Sequence, residues 1–352
     1  MSTTRRHVLT ALAGASLASA LPFSAARAAG IAGAPGIFGK RQVKIALVRY
    51  LSTGDFFQFY LAGVTRQAAA LGIDLHVLDS RQDAALQAEM LAQAMNMGVD
   101  GIILQHGLTE TLKDPAARAV AEGFKVVAFD VNCENPKIPQ IEQNDRELAR
   151  LSLEQAIRDN GEAFKAGYVY VPGIAPLDRR DETWQAVKKK YPKIVEVARW
   201  GTMNNPIANS VADQTAAVLR ANPDIKMIFA PFDEFAKGVK TAVDEAGLSK
   251  QIKIYSADIS TPDISAMIEK DSAWSATTAT NSAVVGEVCV RSLALLLAGI
   301  DPGREVVVPP TLITQAMLAE KGIKNMEELA AKIPQFSRAE VAMAPWIPEP
   351  KR

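Results

Sequence analysis

Cysteine and histidine are scarce in this chain, and their scarcity excludes several kinds of protein. Two cysteines, Cys133 and Cys289, and three histidines occur among 352 residues. Two cysteines cannot form the disulfide framework of a small secreted domain, and we expect two buried free thiols in preference to a bridge between them. No spacing matches a metal motif, a phosphate-binding loop or a G-x-S-x-G nucleophile elbow. We therefore expect no metal, no cofactor and no enzyme activity.

An excess of charge and a long apolar run in the body of the chain are also absent. The 39 basic and 39 acidic residues give a formal net charge of +0, which argues against a nucleic-acid partner or an acidic-lipid surface. Beyond the N-terminus, no segment approaches the ~18 apolar residues of a membrane span. A hydrophobic content of 48% with 22% charged residues is typical of a globular protein with an ample core.

The first residues have the pattern of a targeting segment. The pair Arg5-Arg6 is followed by an Ala/Leu-rich apolar stretch and by an A-x-A cleavage site that ends at Ala28. We predict a twin-arginine signal peptide over residues 1–28, cleaved near Ala28, and export to the periplasm. A general secretory signal that contains two arginines is the alternative. Residues 29–42 are rich in glycine and are predicted to be a flexible leader.

After the leader, strand and helix patterns alternate. Short apolar runs rich in β-branched residues are separated by amphipathic stretches, and this alternation predicts parallel sheets with helices on both faces. The series restarts once, so we predict an α/β protein of two doubly wound, Rossmann-like lobes joined by a hinge. The first lobe is expected to hold residues 43–145 and about 280–305. The second is expected to hold residues 146–279 and about 306–352, including a tail without an assigned role.

The first predicted strand delivers aromatic residues to one edge of its sheet. The buried run that begins at Val43 is followed by turn and cap residues, and then by Phe56 and Phe57 at the start of a helix. Ligands of open α/β folds bind at the carboxyl ends of the strands. Two adjacent aromatic rings cannot both face one core, so we expect at least one to line a cleft. There the apolar face of a sugar ring would pack on it.

Polar side chains follow later strands at the same edge. Asp130 and Asp258 each end an apolar strand, where a carboxylate either accepts hydrogen bonds from ligand hydroxyls or caps the next helix. Arg180 offers paired donors for hydroxyls or a carboxylate, and is otherwise a solvated helix residue. Further candidates for ligand contact are Tyr50, Asp55, His106, Asn132, Asp233 and Thr280, of which Asp233 is equally suited to cap the next helix.

The order and spacing of these residues resemble the type I periplasmic solute-binding proteins of the ribose/galactose class. The segment Gly54–Phe57 is similar to the family's Asn-Pro-Phe-Phe, whose aromatic rings sandwich the sugar. The segment Arg180–Trp184 resembles the family's Arg-x-x-Gly-Phe, and Asp258 matches its sugar-binding aspartate. Val131 and Phe232 depart from the family pattern, because they stand where the family has an arginine and an asparagine.

The resemblance extends from about residue 43 to residue 312 and implies a function. It implies a periplasmic receptor that binds a small carbohydrate or polyol between its lobes and delivers it to the ABC transporter permease in the inner membrane. Arg180, Asp258 and Thr280 would contact the ligand, and the receptor would be a monomer. The alternatives are a receptor for another small polar signal molecule and an exported hydrolase or lyase on a similar frame. The signal segment argues against the ligand-binding half of a transcription regulator.

Overall fold

The structure of the chain, a computed structural model, describes residue 31, residues 33–337 and residues 340–351. The predicted signal peptide lies outside the described residues, which form twelve strands and twelve helices. None of the helices in the described ranges is long and apolar enough to cross a membrane.

The first lobe is built on a six-stranded sheet. Its strands are β1 (Lys44–Arg49), β2 (Asp74–Asp79), β3 (Gly101–Gln105), β4 (Lys125–Phe129), β5 (Gln140–Glu142) and β11 (Glu305–Val307). They lie in the order β11-β5-β4-β3-β1-β2, and every neighbouring pair is parallel. The helices of this lobe are α1 (Asp55–Ala70), α2 (Ala84–Asn96), α3 (Thr109–Ala121) and α9 (Ser282–Leu297).

Helices cover both faces of this sheet because alternate residues of a strand point to opposite sides. In β1, Ile45 and Leu47 belong to the apolar core shared with α1 and α9. Ala46 and Val48 belong to a separate core formed with α2 and α3. The part of a strand that is buried between helices on both faces is apolar, which is why β1 is a continuous hydrophobic run from Ile45 to Val48.

The second lobe repeats this arrangement with one antiparallel strand. Its strands are β6 (Phe164–Val169), β7 (Ile194–Trp200), β8 (Met227–Ala230), β9 (Lys253–Ala257), β10 (Trp274–Ala279) and β12 (Thr311–Thr314). The order is β12-β10-β9-β8-β6-β7, and only the β10–β12 pair of this described sheet is antiparallel. The helices that follow are α4 (Asp145–Asn160), α5 (Ala175–Lys190), α6 (Ile207–Ala221), α7 (Asp233–Glu245), α8 (Thr261–Ile268), α10 (Gln315–Glu320), α11 (Met326–Lys332) and α12 (Pro334–Ser337).

Three crossings between the lobes run through the hinge, from β5 to α4, from β10 to α9 and from β11 to β12, before the tail returns to the first lobe. All three crossings leave strands at one edge of each sheet, so this edge forms the hinge. The Thr280 hydroxyl donates a hydrogen bond of 2.6 Å to Gln143 Oε1 and thereby ties two of the crossings together. The two-lobed fold predicted from the sequence is therefore observed.

Two glycines allow α1 and α9 to pack closely on the first lobe. A Cβ atom at Gly63 would lie 1.8 Å from the Ala283 carbonyl oxygen, and a Cβ at Gly286 would lie 2.2 Å from the Tyr60 carbonyl oxygen. No side chain fits at such distances, so the backbones meet directly. Since α1 begins with Phe56 and Phe57, this contact also fixes where those rings lie.

The ends of the chain differ from the sequence predictions. Strand β11 belongs to the first sheet, and residues 340–351 return to the first lobe instead of staying on the second. There the Trp346 ring lies 5.1 Å from the Phe38 ring, and the Gln67 amide donates to the Pro348 carbonyl. Phe38 is only 2% exposed, so the described part of the leader packs on the protein and is not the flexible segment that was predicted. Burial of the Phe38 and Trp346 rings is the physical reason why the leader and the tail pack on the first lobe.

The cysteines agree with the sequence prediction, whereas two elements near the end of the chain are new. Cys133 and Cys289 are both buried and free, as expected. Strand β12 and helix α10 were not predicted, because the short run Thr311–Thr314 becomes a strand only by pairing with β10.

Candidate ligand-binding site

A cavity lies between the two lobes, at the carboxyl ends of the parallel strands. Eight of its twelve lining residues are apolar, which is usual for sites that enclose a small molecule. The first lobe and the crossing after β5 supply Leu51, Phe56, Phe57, His106 and Gln143; the second lobe supplies Ile174, Pro176, Leu177, Arg180, Met203, Phe232 and Asp258.

Two polar and two apolar lining residues come from different parts of the two sheets. Gln143 follows β5, at the hinge edge, and Asp258 follows β9, one strand in from the hinge pair. Leu51 follows β1 and Met203 follows β7, which lie towards the opposite edges of their sheets. Strand order therefore places Gln143 and Asp258 near the hinge and Leu51 and Met203 away from it, whereas Arg180 and Leu177 share helix α5, which follows β6.

Aromatic rings form a wall that joins the two lobes. Phe56 and Phe57 pack edge to face, with ring centroids 5.2 Å apart. The Phe57 ring lies 5.4 Å from the His106 ring of its own lobe and 6.4 Å from the Phe232 ring of the opposite lobe. Phe56 and Phe57 line the cavity and also belong to the core, so the prediction that at least one of them would face the cleft is met by both.

The lobes also touch on the side of the cavity away from the hinge. The Gln82 amide donates to the Met203 carbonyl at 3.3 Å and accepts a hydrogen bond from Asn205. At another point of the rim, Lys237 Nζ lies 3.0 Å from Asp55 Oδ2. These contacts show that the structure is a closed form of the two lobes.

Three polar residues at strand ends have a left-handed backbone conformation. His106 after β3, Asp130 after β4 and Asp258 after β9 have φ angles of 54°, 52° and 70°. Asp and His adopt this region several times more often than most non-glycine residues, although it remains uncommon. Such strained positions concentrate at functional sites, and here they turn the chain sharply at the interlobe edge.

Arg180 is held by a buried network of hydrogen bonds. Its Nε donates to Asp145 Oδ1 at 2.8 Å, and its Nη1 donates to the Pro231 carbonyl at 2.6 Å. Nη1 also lies 3.4 Å from Asp258 Oδ2. The side chain is 3% exposed, and burial of a charge is tolerated here because carboxylates surround it.

Asp258 keeps one carboxylate oxygen without a partner. Its Oδ1 is buried and makes no hydrogen bond, while the residue lines the cavity. Burial raises the pKa of Asp258 to about 6, against the opposing effect of the positive charge of Arg180. An unsatisfied buried acceptor costs free energy until a donor reaches it, so Asp258 is suited to accept a hydrogen bond from a ligand hydroxyl.

His106 is neutral in this environment. Burial lowers its pKa to about 3. Its Nδ1 lies 3.1 Å from the Gln105 amide nitrogen and its Nε2 lies 3.9 Å from Asp130 Oδ2. A neutral imidazole can donate one hydrogen bond and accept another, and here it also offers its ring to Phe57.

Six of the predicted site residues do not line the cavity. Asp130 and Thr280 each share a hydrogen bond with Gln143, which lines the cavity. They therefore lie one residue behind the cavity wall. Asp55 pairs with Lys237 at the rim, and Asn132 is exposed and accepts a hydrogen bond from the Glu134 backbone N–H. The remaining two are Tyr50, which is half-buried, and Asp233, which is buried at the start of α7 and accepts a hydrogen bond from the Glu234 backbone N–H.

Sequence reasoning missed several residues of the site. Gln143 lies in a crossing between lobes, and its role depends on the fold closing around it. Met203 and Ile174 stand in loops where a single apolar residue gives no periodic signal. Asp145, which accepts hydrogen bonds from both Arg179 and Arg180, and Arg179 itself carried no prediction.

The described residues contain no cluster of three or more metal-ligating side chains. The arrangement instead suits a neutral or polar organic molecule enclosed between closing lobes. Fold and cavity together define a two-lobed binding protein.

Comparison with known proteins gives the family. The chain belongs to the periplasmic binding proteins: the model described as periplasmic binding protein domain matches residues 45–301. The ribose import binding protein of Bacillus subtilis is 24% identical over 286 residues, which are 78% of this chain and 88% of that protein. The predicted family and the type I fold are thus confirmed.

Two solved structures are similar over nearly the whole described chain. The 5-methylthioribose transporter solute-binding protein of Thermotoga lettingae, in complex with 5-methylthioribose, is 36% identical with a TM-score of 0.85; the match covers 87% of this chain and 97% of that one. A sugar ABC transporter protein of Yersinia enterocolitica is 29% identical with a TM-score of 0.83, covering 88% and 94%.

Proposed function

We propose that this protein is the receptor of an ABC importer for a small sugar that carries an apolar substituent. One observation carries the proposal: Gln143 and Asp258 line the cavity near the hinge, whereas Leu51 and Met203 line it away from the hinge. A fully hydroxylated hexose would leave hydroxyls unpaired against the apolar side, which costs free energy. A pentose with an apolar group in place of one hydroxyl matches both sides.

The polar side provides groups for the sugar hydroxyls. Asp258 Oδ1 is a free acceptor, while the guanidinium of Arg180 is held in a fixed orientation by Asp145. The Gln143 side chain is oriented by Thr280. Hydrogen bonds within the protein fix these groups in the closed form, so the ligand does not have to order them itself.

The apolar side provides a pocket for the substituent. Leu51 and Met203 line it, and the flexible thioether of methionine adapts to sulfur-containing and alkyl groups. Phe232, the departure from the asparagine of the ribose/galactose class, removes a polar group from the cavity wall. The relative that binds 5-methylthioribose supports this assignment, because that sugar has an apolar thioether group on a pentose.

Transport follows from closure of the lobes around the sugar. The ligand contacts both lobes, so it stabilises the closed form over the open form by its differential contacts. The closed receptor is then recognised by a membrane permease. We propose that the receptor acts outside the cytoplasm as a monomer after cleavage near Ala28, and that it catalyses no reaction.

A calorimetric comparison of sugars tests this function. We expect 5-methylthioribose to bind about tenfold more tightly than ribose, because burial of its methylthio group is worth roughly 1–2 kcal/mol. Glucose and charged amino acids serve as negative controls. Equal affinity for ribose and 5-methylthioribose would contradict the apolar substituent, and binding of charged amino acids alone would contradict the sugar.

Two variants separate the two sides of the cavity. Arg180→Lys keeps the charge but loses the planar pair of donors, so we expect it to weaken binding of both sugars by about 100-fold. Met203→Gln should weaken binding of 5-methylthioribose more than binding of ribose. If Met203→Gln affects the two sugars equally, the proposed position of the substituent is wrong.

A further inference from the structure

Arg179 lies outside the cavity and yet joins the two lobes. Its Nη2 is 2.5 Å from Asp130 Oδ1, and its Nε is 3.2 Å from Glu142 Oε2. The same guanidinium is 2.6 Å from Asp145 Oδ2. The Asp130 and Asp145 side chains are fully buried, and Arg179 is 17% exposed.

The partners of Arg179 belong to different lobes. Asp130 follows β4 and Glu142 ends β5, so both lie on the first lobe. Asp145 begins α4, which packs against α5, the helix that carries Arg179. A hinge motion therefore leaves Arg179 with Asp145 and separates it from Asp130 and Glu142.

Asp145 extends this contact to the ligand cavity. Its Oδ2 accepts from Arg179 and its Oδ1 accepts from Arg180, which lines the cavity beside Asp258. One carboxylate thus orients two neighbouring arginines. One arginine faces the first lobe, and the other faces the space for the ligand.

We propose that Arg179 is a positioning residue that couples closure of the lobes to the orientation of Arg180, through their shared partner Asp145. The inference rests on the proposed function of the cavity as a sugar site. Arg179 makes no contact with the ligand. It gains its first-lobe partners only when the lobes close, and it then holds Asp145, and with it Arg180, in the binding geometry.

The charges around Arg179 favour the closed form of the lobes. Burial and the neighbouring carboxylate of Asp145 raise the pKa of Asp130, while Arg179 lowers it. In an open form the first-lobe carboxylates lose their nearest cation, whereas in the closed form Arg179 neutralises them. The ion pair therefore stabilises the closed form, and a bound ligand stabilises the same form further.

The test compares Arg179→Gln and Arg179→Lys with the wild type. We expect Arg179→Gln to bind the sugar about ten- to hundredfold more weakly, mainly through faster dissociation. Small-angle scattering should show a smaller compaction on adding sugar. Arg179→Lys keeps the charge and should recover part of the affinity and of the compaction. Arg150→Gln is the matched control, because Arg150 pairs with Glu147 and Glu154 within one helix.

Each outcome decides a separate question. If Arg179→Gln lowers only the melting temperature and leaves the dissociation rate and the compaction unchanged, Arg179 is merely structural and the inference is wrong. If the wild type binds no sugar, the proposed function fails. The inference is then tested on the ligand-free proteins, where Arg179→Gln should be more expanded than the wild type. An equal radius of gyration would overturn it.

Discussion

Individual residues at the strand ends determine what the cavity can bind. Asp258 and Arg180 come from separate elements of the second lobe, and their side chains approach to 3.4 Å beside the cavity. Asp258 keeps one oxygen free, and the left-handed backbone at this position suits only a few residue types. A bound ligand can therefore change the ionisation of Asp258.

Sugar affinity should fall as the pH decreases through about 6. Burial raises the pKa of Asp258 from its ordinary value of 3.8 to about 6. A ligand hydroxyl that donates to Asp258 favours the charged form, so binding releases a proton when the pH is near 6. Calorimetry in buffers of different ionisation enthalpy measures this release.

The Asp258→Asn variant is the control for this pH dependence. Asparagine also tolerates a positive φ, so the fold should be retained. We expect weaker binding by the variant and a flatter pH profile between 5 and 7.5. Because the native pKa is raised, protonation of Asp258 stabilises the ligand-free protein as the pH falls from about 6 towards 4. An affinity that stays constant or rises at low pH would contradict this assignment.

At the scale of elements, the contact between α1 and α9 positions the aromatic wall. These helices pack through backbone contacts at Gly63 and Gly286. α1 carries Phe56 and Phe57 at its first turn, and α9 begins directly after the second crossing of the hinge. A shift between these helices therefore moves one wall of the cavity relative to the hinge.

Gly63→Ala should destabilise the protein and weaken sugar binding together. The added Cβ would lie 1.8 Å from the Ala283 carbonyl oxygen, so the helices must separate. Overpacking of this kind costs roughly 1–3 kcal/mol in the free energy of unfolding, which urea denaturation measures. Thr65→Ala, at an exposed position of the same helix, is the control. Unchanged stability in Gly63→Ala would show that the helices can separate without cost.

At the scale of the whole molecule, the chain returns at its end to the lobe where it began. Residues 311–337 form a strand and three short helices that extend the second lobe. The segment 340–351 then covers α1 and the leader, with Ile347 only 4% exposed. The tail thus completes the core of the first lobe.

Removal of the buried tail side chains should destabilise the protein without changing the site. We expect the double variant Trp346→Ala and Ile347→Ala to lower the free energy of unfolding by about 3 kcal/mol, because it exposes the Phe38 surface. Met343→Ala is the control, since Met343 is 39% exposed in the same tail. Sugar affinity of the folded variant should stay unchanged. An unaltered urea midpoint would mean that the tail does not contribute to the core.

The sequence alone was sufficient for the two-lobed α/β fold and for five of the residues that line the cavity. Local patterns carry this information: alternating strands and helices, a pair of aromatics after β1, and an aspartate after β9. Phe56, Phe57, His106, Arg180 and Asp258, all predicted as site residues, line the cavity. Four of them stand next to a strand or helix end that their own neighbours in the sequence determine, whereas Arg180 lies inside α5.

Only the tertiary structure decided which other residues complete the site. Gln143 and Met203 line the cavity because lobe closure brings a crossing and a distant loop together. Arg179 finds partners on the opposite lobe, and the tail finds Phe38 some three hundred residues away along the chain. Contacts of this kind have no local signature. They depend on how the two sheets face each other, and local propensity and hydrophobic periodicity do not encode that relation.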